Sequence, residues 1–156
     1  MIVYHSSYLV VDRPDIHHSR EALDFGKGFY VTAIRDQALR YADRFLLRKM
    51  RAYLNIYDLD DSWRNENVKI FKAYDGEWLD FIAANRSMKA VNAYDAVEGG
   101  VANDKIFRTV ELYLAGDITK DVALSRLKFE KPNHQICILS QRLIDTYLKY
   151  LRTEEV

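Results

Sequence analysis

A single cysteine, Cys137, excludes an internal disulfide, and its place in the apolar run ICIL points to a buried structural thiol in a reducing compartment. No apolar run approaches the roughly 20 residues needed to span a bilayer, so no transmembrane helix is expected. The opening MIVYHSSYLVV lacks a basic leader and is interrupted by His5, Ser6 and Ser7, so it does not read as a signal peptide, and a cytoplasmic location is expected. An excess of charge of one sign is also missing. With 23 basic and 23 acidic side chains no global field attracts polyanions, and nucleic acid is not a favoured partner. Proline occurs twice and glycine six times, without repeats or low-complexity segments, which argues against long disordered stretches.

Several chemistries lack their motifs. In DFGKGFYVT, residues 24–32, the lysine lies between the glycines, so the backbone nest of a P-loop is not encoded. No third glycine opens a helix, which removes the Rossmann fingerprint. His5, His17, His18, His134 and Cys137 give neither C-x-x-C nor H-x-x-x-H spacing, so no metal is expected. No G-x-S-x-G elbow is present.

What the chain does have is an ordinary globular composition, 49% hydrophobic and 29% charged, enough for one domain over residues 1–156. Eleven tyrosines exceed what that length requires. A flat ring with a polar tip suits a wet cleft that stacks ligands, and equally a half-exposed strand.

Alternation predicts a strand over residues 2–6 with a short extended piece after it, and a second strand in FYVTA after a loop. Ile34, Ala38, Tyr41, Ala42, Phe45 and Leu46 share one face, which predicts a helix over 35–51. Its basic side reads as a salt-bridged solvent face, because Asp36 and Arg40 have the favourable four-residue spacing. Strands are expected in AYLNIYDLD and VKIFKAY, then a helix over 76–85 capped by Asp75, then a strand and turn in AYDAVEGG. NDKIFRTVELYLAGD reads as a helix closed by Gly116, and Thr119 caps another through KDVALSRLKF. HQICILS is apolar enough for a central strand, and TYLKYLRT reads as a last edge strand. Strands and helices do not alternate regularly enough for a doubly wound sheet, so the class is α+β.

Taken together, VYHSS in the first strand, FGKGFYVT at the next and RDQALRYA behind it resemble the NAD-binding core of the ADP-ribosyltransferase superfamily, in the poly(ADP-ribose) polymerase branch. That branch has a strand with His followed by a small residue, an F-G-K-G-[IL]-Y-F box and a tyrosine eleven positions further on, a spacing that Tyr30 and Tyr41 keep. The chain is also similar, over nearly its whole length, to uncharacterised bacterial proteins with the same box and a late His-Gln strand. The resemblance implies split mixed β-sheets with flanking helices around a central cleft for NAD, which is a substrate. It implies that His5 binds the adenosine ribose hydroxyls, Tyr30 packs by the nicotinamide ribose and Tyr41 stacks on the nicotinamide ring. Ser6 stands where glycine is usual, with its backbone still able to pair the carboxamide, and Ala38 replaces a serine hydroxyl. Gly26 and Gly28 would allow close ligand approach, while Arg20 and Lys27 would offset pyrophosphate charge. For Lys27 a solvated surface role is the simpler reading.

The family's third position is a glutamate; here it is Gln135. A glutamine can accept a hydrogen bond from the ribose but cannot take a proton. Losing charge assistance costs about 1 to 2 kcal/mol, roughly tenfold in rate, while losing a general base costs about 10² to 10⁴. Polymer synthesis is therefore disfavoured. The expectation is a mono-ADP-ribosyltransferase acting on a macromolecule, such as a protein, that brings its own nucleophile or carboxylate, with Glu98, Asp104 or Glu111 as alternative sources of the missing charge. NAD glycohydrolysis and a non-catalytic NAD-binding module are the competing readings.

Overall fold

The computed structural model describes residues 1–89 and 93–156. Two sheets form it. The first contains β1 (Ile2–Ser7), β3 (Tyr53–Leu59) and β7 (Leu148–Glu155) in the order β1-β3-β7, all antiparallel. The second contains β2 (Phe29–Val31), β4 (Val68–Ile70), β5 (Ala96–Gly99) and β6 (Gln135–Ile138) in the order β2-β6-β5-β4, with only the β4–β5 pair parallel. The α+β expectation holds, as does the central place of HQICILS and the edge position of the last strand.

Five helices flank the sheets. These are α1 (Arg35–Leu47), α2 (Gly76–Arg86), α3 (Asp104–Leu114), α4 (Lys120–Leu127) and α5 (Gln141–Tyr147). The expected caps Asp75 and Thr119 are in place, and Asn103 adds a third. Asp75 accepts from the Trp78 N–H, Asn103 from Ile106 and Thr119 from Val122, each satisfying a donor that the first helical turn leaves free. Gly116 closes α3 at φ +77°, in the left-handed region that glycine enters without penalty.

Three differences from the sequence reading have local causes. Helix α1 stops at Leu47 instead of continuing to 51, because the chain turns left-handed at Lys49 and the Met50 N–H bonds back to the Phe45 carbonyl. Asp36 and Arg40 keep their spacing but form no ion pair among the described residues; it is Arg35 that pairs, with Glu154 at 2.7 Å. The segment before the last strand folds as α5, where Leu143 and Ile144 are buried against both sheets.

The core has three parts. Val3, Phe29, Val31, Tyr57, Trp63, Ile136 and Ile138 fill the space between the two sheets. Phe25, Trp78, Leu79, Ile82, Val97, Ile106, Val110 and Cys137 pack the outer face of the second sheet beneath α2, α3 and α4. Ala38, Leu54 and Ile56 seat α1 on the outer face of the first sheet. Cys137 is free and fully buried, and burial pushes its thiol far above the ordinary range, so it is inert.

Candidate functional site

The sheets meet along β1 and β2 but barely pair. Among the described residues a single bridge joins them, in which the Tyr4 and Thr32 backbones exchange hydrogen bonds of 2.8 and 3.0 Å. In an antiparallel ladder the next such rung would join Ser6 to Tyr30. Instead, His5 Nδ1 lies 2.8 Å from the Tyr30 carbonyl, so the imidazole takes the acceptor that Ser6 N–H would have used. The side chain acts as a wedge, and the split between the sheets begins there.

That contact fixes the chemistry of His5. A carbonyl only accepts, so Nδ1 carries the proton and Nε2 presents a lone pair. Burial lowers the pKa of the ring, against a smaller opposing effect of the Tyr30 hydrogen bond, so it is neutral near pH 7. The ring also packs on Phe29, with centroids 4.5 Å apart. By strand alternation, the Ser6 N–H and C=O turn toward the same edge as those of Tyr4, into the split. The Ser6 hydroxyl donates to the Ala38 carbonyl at 2.5 Å and ties β1 to α1.

Tyr30 faces the other way. Directly opposed residues share a face of a sheet, and so do alternate residues of a strand. Tyr30 opposes Cys137, and Gln135 precedes Cys137 by two, so Tyr30 and Gln135 lie on the outer face of the second sheet. The Tyr30 hydroxyl donates to the Gly26 carbonyl at 2.6 Å and accepts from the Phe25 N–H at 3.1 Å. Burial, followed by the neighbouring Cys137 sulfur, pushes the phenol well above its usual range, so it stays protonated. Gln135 is partly buried and its amide makes no hydrogen bond among the described residues.

Helix α1 overlooks this region. Gln37 donates to the His134 carbonyl at 2.7 Å and accepts from the His134 N–H at 3.1 Å, which places that side of the helix over the start of β6. Tyr41, four residues on, stands on the same side one turn further along. Its ring touches Phe45, with centroids 6.0 Å apart, and lies under the Arg44 guanidinium, 3.8 Å from the centroid.

The structure therefore links His5 to the Tyr30 backbone and puts Tyr30 and Gln135 on one face, but the three rings of His5, Tyr30 and Tyr41 have different immediate neighbours. Two open grooves flank the segment leading into the glycine box. One, of ≈ 330 Å³, is lined by Arg20, Asp24, Arg86 and Glu111 among others; the second, of ≈ 380 Å³, by Gly26, Lys27, Asn85 and Leu139 among others. Arg20 and Lys27 thus border these grooves, and Lys27 sits 4.0 Å from Glu21. Gly28 has a packing explanation. A Cβ there would stand 2.5 Å from the Ile138 carbonyl and 2.7 Å from the Cys137 sulfur, and the Gly28 N–H already donates to Ser19.

Of the carboxylates expected to replace the glutamate, Glu98 is excluded by its register. It opposes Ile136, hence lies on the inner face, away from Gln135. It accepts two bonds from Arg64, at 2.5 and 3.1 Å, and one from His134 at 2.8 Å. Burial opposes its charge, but those donors prevail and hold its carboxyl below the usual range. Glu111 is taken by Arg86 at 3.2 Å. The side chain of Asp104 lies outside the described residues.

Two residues of the site escaped the sequence reading. Asn55 is fully buried in β3, accepts from the Val11 N–H and donates to the His5 and Leu9 carbonyls, which holds the chain leaving β1. Gln37 clamps the residue before Gln135. The polar residue within YLNIY was the available signal for the first, since an unpaired buried amide is costly.

Residues 1–150 match a family described as "Protein of unknown function (DUF3990)". No curated protein and no solved structure matches the chain.

Proposed function

The chain belongs to that family, DUF3990, whose description assigns no activity, and from its own residues we propose an NAD-binding protein of the ADP-ribosyltransferase type. The proposed reaction breaks the bond between the NAD ribose and nicotinamide and transfers one ADP-ribose unit to a macromolecular acceptor. The observation that carries the reading is the split between β1 and β2. It opens a strand edge at Ser6 beside the imidazole of His5, while the Tyr30 phenol and the Gln135 amide, which has no hydrogen bond among the described residues, lie on the outer face of the adjoining sheet; all four positions are those where the family resemblance expects ligand contacts.

In this reading the nicotinamide carboxamide pairs with the Ser6 backbone, whose N–H and C=O match an amide's acceptor and donor. The Ser6 hydroxyl, held toward Ala38, stands in for the serine hydroxyl missing at position 38. Tyr41 forms the wall on the α1 side, and Nε2 of His5 accepts from a ribose hydroxyl. Gln135 orients the nicotinamide ribose through its carbonyl. Nicotinamide departs as a neutral molecule and needs no acid. The acceptor must arrive already nucleophilic, because Gln135 cannot deprotonate it.

Gln135 also favours a second reading, a binding module that holds NAD without turning it over. Nicotinamide release from NAD separates the two. The transferase reading expects release together with labelling of an acceptor; glycohydrolysis gives free ADP-ribose alone; the binding module gives neither. Gln135→Glu is expected to raise release by about 10² to 10⁴ if the site lacks only the base. No rise, with NAD binding intact, would remove Gln135 from the reacting centre.

A further inference from the structure

A neutral total conceals a local separation of charge. Residues 35–51 hold six cations, Arg35, Arg40, Arg44, Arg48, Lys49 and Arg51, against two carboxylates, Asp36 and Asp43, in a chain whose formal net charge is zero. Arg35 is neutralised by Glu154. No ion pair among the described residues engages Arg40, Arg44, Arg48 or Lys49, and all four are exposed. Arg40, Arg44 and Arg48 recur every four residues and so form one row along α1 and its cap. Lys49 and Arg48 lie at the helix C-terminus, where cations also complement the macrodipole; Arg40 is in mid-helix, where that reason does not apply.

Beside this row runs a second one made of rings. Tyr41 contacts Phe45, and Phe45 contacts Tyr8 of the loop after β1, with 6.0 Å between centroids at each step. Tyr8 is 48% exposed and Tyr41 41%, and Leu9 and Val10 extend the apolar strip at 53% and 51%. The Arg44 guanidinium lies over the Tyr41 ring, so cationic and aromatic groups are interleaved.

We propose that this face of α1, with Tyr8, Tyr41 and Phe45 flanked by Arg40, Arg44 and Arg48, is a docking surface for single-stranded nucleic acid. Four unneutralised cations call for an anionic partner. An acidic peptide would satisfy them but would leave the rings in water. A single strand satisfies both rows, since its phosphates repeat along the chain while its unpaired bases stack on aromatic and guanidinium planes. A duplex keeps its bases inside and gains only the charge term. The docking does not require NAD, but it shares Tyr41 with the proposed NAD site, so the two ligands would compete for that ring.

Fluorescence anisotropy of a labelled twelve-nucleotide mixed-sequence single strand, without NAD, tests this on the full chain. About four phosphate contacts give a slope of log affinity on log salt near −2.8, hence about a fifty-fold loss between 50 and 200 mM salt. The triple substitution Arg40→Gln, Arg44→Gln, Arg48→Gln should flatten that slope by about 2 and weaken binding at least tenfold at low salt. Tyr8→Ala should weaken binding by roughly fivefold or more with the slope unchanged, the mark of stacking as opposed to charge. Circular dichroism melting of each variant reports whether it folds; Tyr8 is in an exposed loop and supplies the decisive comparison if the triple variant does not. Absence of saturable binding, equal affinity for a twelve-residue polyglutamate, or indifference to Tyr8→Ala would each overturn the proposal. Because NAD is absent throughout, any of these results leaves the NAD reading standing.

Discussion

Tyr30→Phe isolates the structural share of a residue that the family resemblance places in a catalytic cleft. The hydroxyl donates to the Gly26 carbonyl at 2.6 Å and accepts from the Phe25 N–H at 3.1 Å, so one oxygen closes the glycine-box turn from both sides. Gly26 sits at φ +94° and Phe25 is fully buried, so this turn cannot relax freely. Each hydrogen bond is worth about 0.5 to 1.5 kcal/mol net, and leaving two partly buried backbone groups short of partners brings the expected loss to about 2 to 3 kcal/mol. For a domain of this size that is a fall in Tm of roughly 5 to 10 °C. Thermal melting and urea titration of wild type and variant measure it. A shift under about 2 °C would refute the argument that this phenol holds the loop. The same geometry shows that loss of activity in Tyr30→Ala would not by itself assign a catalytic role, whereas the exposed Tyr41 can be truncated with little effect on folding.

Other consequences follow from the same contacts. Gly28→Ala is expected to destabilise by about 1 to 3 kcal/mol, because the new methyl meets a backbone carbonyl and a buried sulfur that cannot both retreat; unchanged stability to urea would contradict the packing explanation. Glu66 is held down to about 2, from an ordinary 4.5, first by hydrogen bonds from Arg142 and then from Tyr147. A depressed carboxyl pKa stabilises the fold above about 4.5 and loses that contribution as pH falls toward about 2, so Glu66→Gln should flatten the acid limb of the stability curve across this window. An acid limb identical to wild type would show that the Arg142 contact contributes nothing.

Much of the fold was legible because local chemistry and tertiary need agree. Asp75 and Thr119 mark helix starts through caps that stand alone in sequence, and the apolar run at Cys137 announces a strand buried on both faces. The end of α1 was not legible, since nothing in RKM announces a left-handed turn at Lys49. Neither was α5, whose seven residues are helical because Leu143 and Ile144 find a place between the sheets.

The candidate site was legible in its residues and not in its geometry. His5, Tyr30 and Gln135 stand out by position, but only the fold gives the imidazole its wedge role, turns Glu98 to the inner face and commits the Tyr30 hydroxyl to the loop. Those facts depend on register, and register is set by pairings between segments far apart in the chain.

The central claim is that the split at Ser6 receives the nicotinamide end of NAD. Calorimetric titration of the full chain with NAD⁺ tests it most directly, run beside Tyr41→Ala and free nicotinamide as competitor. The account predicts saturable binding at one site, weakened about tenfold or more in Tyr41→Ala and displaced by nicotinamide. No binding heat, or binding indifferent to both, would contradict it.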